Sequence, residues 1–157
     1  MIYNLKLINS YINGEDIKGY NIEDLENDPE FMKSVILASN DKEFYNLCSE
    51  EVKSDFDFVM FLIDKYSFNA KFIDKVASYF LKNSNNESER LSVVVHTCNL
   101  FEKLNDKELF AKYRIMFIAK FLTDMIGIEK YKMEKPNDNI GLGLLYFIMS
   151  ILIMKRY

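Results

Sequence analysis

The chain contains one histidine, His96, and any proton-transfer chemistry near neutral pH would centre there. In Arg90-Leu91-Ser92-Val93-Val94-Val95-His96 a guanidinium precedes the imidazole by six positions. Cys98 stands two positions beyond His96, but residues two apart on a helix face different directions, which argues against a Cys-His nucleophilic pair. No second histidine or close cysteine cluster completes a metal site around His96. A structural histidine is the plainer expectation.

The Arg90 to His96 segment resembles the R-x(4–6)-H motif of HEPN-family ribonucleases. Leu91 stands where that family usually has a polar residue. The resemblance covers seven residues. It implies an all-helical fold, cleavage of an RNA backbone, and a site commonly shared across a dimer, with Arg90 on the phosphate and His96 in proton transfer.

Other chemical signatures are missing. Glu50-Glu51 and Asp55 with Asp57 lack the glycine and alternating oxygen ligands of a calcium loop, and read as solvated helix ends. No Walker A, dinucleotide-binding or nucleophile-elbow motif occurs; Gly141-Leu142-Gly143-Leu144-Leu145 has two glycines but no third. The sequence therefore predicts no cofactor and no metal, and favours a protein that is not an enzyme.

Charge and composition narrow the partners. A formal net charge of −4 withholds general attraction to phosphate backbones, which disfavours nucleic acid and favours a protein with a basic surface. Cys48 and Cys98 form no CxxC pair, and the first residues lack the basic and apolar regions of a secretory signal, so a reduced, cytoplasmic setting is expected. Thirteen Phe and 10 Tyr exceed what disorder would tolerate, while only 5 Gly and 2 Pro favour long helices over many tight β turns. Tyrosines such as Tyr11, Tyr20, Tyr45, Tyr66, Tyr79 and Tyr113 divide between core packing and partner contact.

Caps announce the elements that would position these groups. Asp28, with Pro29 and Glu30 behind it, predicts a helix whose inward face carries Phe31, Met32, Val35 and Ile36. Asp41 predicts a short helix with Phe44, Leu47 and Cys48 aligned, and Ser54 with Asp57 predicts a capping box before Phe58, Phe61 and Leu62. Asn69 opens a helix with Phe72, Ile73, Val76 and Phe80 inward. Residues 83–88 form a polar loop ending in Asn86-x-x-Glu89, where the sequence admits a subdomain boundary. A helix carrying His96 follows, although Val93, Val94 and Val95 would also suit a strand. Asn105-x-x-Glu108 predicts a long helix with Leu109, Tyr113, Met116, Phe117, Phe121 and Leu122 on its apolar side, ended near Gly127. A loop containing Pro136 then precedes a terminal helix.

Asp28-Pro29-Glu30-Phe31 is echoed by Asp55-Phe56-Asp57-Phe58, and Glu43-Phe44 by Lys71-Phe72, at an offset of about 27–28 residues. Two copies fit either a helical-hairpin repeat or two ordinary capped helices. The uncharged run from Ile140 to Met154 would span only about 22 Å as a helix, short of a hydrocarbon core of about 30 Å. Lys155 and Arg156 beyond it oppose the usual orientation of a tail anchor. A membrane is thereby disfavoured, and the run is expected to be a central helix buried by its neighbours.

The expectation is an all-α protein: one domain, 1–157, built as a compact bundle of about six to eight helices with the hydrophobic C-terminal helix in its core. Its leading function is protein–protein interaction, as an adaptor or an inhibitor, immunity-type or phage-encoded, of a macromolecular enzyme. The alternatives are a HEPN-like ribonuclease using Arg90 and His96, and a membrane-associated helical protein. No partner-binding residue can be named from sequence, and self-association is left open.

Overall fold

In the computed structural model the described residues are 3–126, with side chains described through residue 120. They are all-α, with no strand among them. The α-helices are α1 (Leu5–Ile12), α2 (Ile22–Glu26), α3 (Pro29–Ser39), α4 (Glu50–Lys53), α5 (Phe56–Lys65), α6 (Ala70–Asn83), α7 (Glu87–Lys103) and α8 (Lys107–Ile126); a 3-10 helix, Lys42–Asn46, lies between α3 and α4. The chain divides into two compact units between Arg114 and Ile115. The first holds α1 to α7 and the opening turns of α8; of the second, only the rest of α8 is described.

Side-chain oxygens set most helix starts. Asp28 accepts from the Glu30 and Phe31 amides at 2.8 and 3.1 Å, Asp55 from Phe58 at 2.7 Å, and Asn69 from Phe72 at 3.1 Å. In each case a cap is followed three residues later by a buried phenylalanine. Satisfying an orphan amide and turning a ring inward therefore occur at one place. This explains the echo between Asp28 and Asp55. It does not extend to the second pair of segments: one is the five-residue 3-10 helix, the other the 14-residue α6.

Two expected caps shift by one residue. Ser54 ends α4, so Asp55 caps α5. At the end of α7, the Asp106 amide donates to the Phe101 carbonyl and the Asn105 amide to that of Glu102, both at 3.1 Å. With Asn105 left-handed at φ 56°, this is a Schellman close, and Asp106 becomes the cap of α8, accepting from Leu109. Asn105 could not be both.

The short segment after Asp41 also differs from its expected face. Tyr45 and Cys48 are buried while Leu47 is exposed. A 3-10 helix has three residues per turn, so Tyr45 and the turn residue Cys48 align where an α-helical spacing would have aligned Phe44, Leu47 and Cys48.

Within the first unit α3 packs against α1, α2, α5 and the 3-10 helix; α6 packs against α4, α5 and α7, and α5 also meets α4 and α7. Phe31, Phe58, Phe80 and Phe101 are wholly buried among Met32, Val35, Ile36, Leu62, Ile63, Ile73 and Val76. Val93 and Val94 bury on α7, which is helical despite its β-branched run because apolar partners on α5 and α6 cover that face. On α8, Phe110 and Tyr113 are buried, whereas Leu109 and Met116 are half-buried and Phe117 is exposed. The expectations for Phe121 and Leu122 as core side chains, Gly127 as a helix end, the Pro136 loop and the apolar C-terminal helix in the core lie outside the described residues. Among those described, no helix is long and apolar enough to cross a membrane.

Candidate interaction face

The two residues singled out by sequence both lie on α7 but are not brought together. Six residues place them about 9 Å apart along the axis and about 120° apart around it. The Arg90 guanidinium lies 3.6 Å from Glu87 near the start of α7. His96 Nε2 instead lies 2.8 Å from Asp64 Oδ1 on α5, with both side chains substantially exposed. Asp64 can hold a ring nitrogen and orient the imidazole, but within one chain the guanidinium faces elsewhere. Cys48 is a buried, free thiol. Burial pushes the Cys48 thiol up to about 12, which keeps it protonated and unreactive. Among the described residues, no three His, Cys, Asp or Glu side chains gather as a metal site.

The end of α5 that carries Asp64 is the more distinctive surface. Its four-residue link to α6, Tyr66 to Asn69, is closed by the Ser67 amide on the Asp64 carbonyl at 3.3 Å and the Asn69 amide on the Tyr66 carbonyl at 2.8 Å. Tyr66 turns its ring edge-on to Phe72, centroids 5.0 Å apart, while Asn69 is engaged as the cap of α6. With its neighbours committed inward, Phe68 projects from the hairpin tip and is 89% exposed.

Two polar links hold this tip to other elements. Besides Asp64 to His96, Lys65 Nζ donates to Asn40 Oδ1 at 3.0 Å and lies 5.5 Å from the centre of the Tyr66 ring. Asn40 closes α3 with φ 55°, a left-handed conformation that asparagine tolerates better than most residues. One turn earlier on α3, Leu37 is 57% exposed. The face thus joins the ends of α3 and α5, the start of α6 and the middle of α7 around a projecting aromatic side chain.

A second polar cluster ties α6 to α8. Asp74 Oδ1 accepts from Lys112 Nζ at 2.6 Å, Tyr113 Oη at 3.0 Å and Ser78 Oγ at 3.3 Å, and Lys112 Nζ lies 3.0 Å from Ser78 Oγ. Serine beside lysine is a nucleophile-base pairing in some hydrolases, but here the Lys112 ammonium is ion-paired with Asp74 at 2.6 Å, and that carboxylate also holds the serine and the tyrosine. Its role is to satisfy the hydroxyl of Tyr113, which is wholly buried. Sequence could not have found this cluster, because its α6 members lie 34 to 39 residues from its α8 members.

The tyrosines divide as well. Tyr11, Tyr45 and Tyr113 are core residues, whereas Tyr20 is exposed. Tyr11 donates to Glu26 at 2.8 Å. Phe68, the most exposed aromatic side chain described, was not singled out by sequence because the period that marks inward helix positions says nothing about a turn.

No protein-family model matches the chain, and no curated protein or solved structure is detectably similar to it. Its class therefore rests on the fold alone: an all-α protein whose described helices pack through buried aromatic side chains.

Proposed function

We propose that this chain is a non-enzymatic protein-interaction module, an adaptor or an inhibitor of a macromolecular enzyme, with Phe68 as the anchor of its contact. The 89% exposure of Phe68 carries the reading. A rigid aromatic ring on a braced turn offers large apolar area with little conformational entropy to lose, the character of an interface hot spot. Lys65 and Asn40 brace one side of that turn, and Asp64 and His96 the other. The net charge of −4 suits a partner with a basic surface, chiefly through association rate and specificity.

A photo-crosslinking residue at position 68, compared with one at exposed Lys82, tests the proposal in cells. A single discrete protein adduct formed from position 68 and not from 82, whose partner binds the unmodified chain at least tenfold more tightly than the Phe68→Ala variant, supports it. Absence of any adduct, together with cleavage of mixed RNAs that is lost in both Arg90→Ala and His96→Ala, would instead establish the ribonuclease alternative. The membrane alternative depends on C-terminal residues outside those described, and is tested by fractionation without detergent.

A further inference from the structure

On a different part of the first unit, two lysines from separate helices converge on one asparagine. Lys53 of α4 donates to the backbone carbonyl of Asn46 at 3.2 Å, and Lys75 of α6 donates to the Oδ1 of the same asparagine at 2.6 Å. Both ammonium groups lie 5.5 Å from the centre of the Tyr45 ring, so they are no more than about 11 Å apart. The Glu43 carboxylate accepts from the Asn46 Nδ2 at 2.8 Å, which turns Oδ1 toward Lys75. Among the described residues neither lysine forms an ion pair within 4.0 Å.

This is an unusual use of charge in a chain whose net charge is −4. Two like charges so close repel one another, and lysine side chains ordinarily spread into solvent to avoid this. Here each is held by an asparagine oxygen and by an aromatic ring that is itself 2% exposed and fixed edge-on to Phe72. An ammonium has three donors, and the one hydrogen bond that each makes leaves others to offer. The cations are thus held in place before any ligand arrives, which lowers the entropy lost on binding.

We propose that Lys53 and Lys75 form a binding site for a phosphate monoester dianion. Two fixed positive charges match a dianion in charge, and its several oxygens can accept from both ammonium groups at once. Tyr45 supplies the platform and Asn46 sets the spacing. The site does not depend on Phe68 or on the proposed interaction function.

Inorganic phosphate and a phosphoserine peptide, each titrated into the ¹⁵N-labelled full chain at constant ionic strength with chloride as the control, test the site. Saturable shifts of the Asn46 amide signals are expected, weakened about tenfold by Lys53→Gln or Lys75→Gln alone, lost in the double glutamine variant, and retained in the double arginine variant. Saturation by both ligands assigns a site for any accessible phosphate, and saturation by the peptide alone assigns a phosphorylated protein segment. An unchanged unfolding midpoint in the double glutamine variant shows that lost binding is not lost folding. No saturable shift with either ligand, or the same shift in wild type and a folded double glutamine variant, overturns the proposal.

Discussion

His96 Nε2 lies 2.8 Å from Asp64 Oδ1, so the only histidine of the chain joins α7 to the end of α5 beside the Phe68 turn. The pair is exposed, and water screens it. A double-mutant cycle of Asp64→Ala and His96→Ala should give a coupling of about 0.2–1 kcal/mol at neutral pH, measured by urea unfolding. A coupling several times larger would mean that the pair is a structural keystone rather than an orienting contact.

Phe58 and Phe68 are the same residue type at opposite extremes of burial, 0% and 89% exposed. Phe58→Ala should destabilise the first unit by about 3–5 kcal/mol, because it removes apolar burial and leaves a cavity. Phe68→Ala should change stability by about 0.5 kcal/mol or less. Chemical denaturation of both variants checks the contrast, and comparable losses would contradict the placement of Phe68.

Asp28 is half-buried, and burial alone would raise its carboxyl. The Tyr3 hydroxyl and the Phe31 and Glu30 amides, which all donate to it, outweigh that effect and hold it below the usual carboxylate range. A depressed folded-state value contributes stability that is whole above about pH 4 and is lost as pH falls through the folded value. Asp28→Ala should therefore cost about 1 kcal/mol at pH 7, and the difference from wild type should shrink on acidification. Unfolding midpoints between pH 7 and pH 2 read this directly; a difference that grows with acidity would contradict it.

Burial raises the tyrosines at the other end of the scale. Desolvation holds Tyr45, Tyr11 and Tyr113 well above the ordinary tyrosine value, with Glu26 beside Tyr11 and Asp74 beside Tyr113 adding to it; the Ser78 bond works the other way. The unfolded chain releases these protons near pH 10 while the folded chain retains them, so their contribution is whole below about pH 10 and falls as pH rises beyond it. Unfolding should begin in alkali before these rings ionise, seen as tyrosinate absorbance rising together with loss of helical circular dichroism. Ionisation of all ten tyrosines ahead of any helix loss would refute this.

Much of the helix order was legible because caps and inward phenylalanines are local signals. Asp28, Asn69 and Asn86 cap the helices that sequence assigned to them. The misses are equally specific. Asn105 looks like a cap until one knows that the chain closes α7 through it, and Phe44 and Leu47 look inward until a 3-10 turn replaces an α turn. Short segments carry too few residues to reveal their own period, so neighbouring elements choose it.

Sequence by itself determined that this is a helical chain rich in buried aromatic side chains, since composition, caps and 3.6-residue spacing act within a few residues of one another. Only tertiary structure decided that His96 meets Asp64 rather than Arg90, that Phe68 points outward, and that Lys53 and Lys75 share Asn46. These relationships depend on how separate helices are rotated and stacked, and the free energy of packing that sets those rotations is spread over the whole core rather than written at any one position.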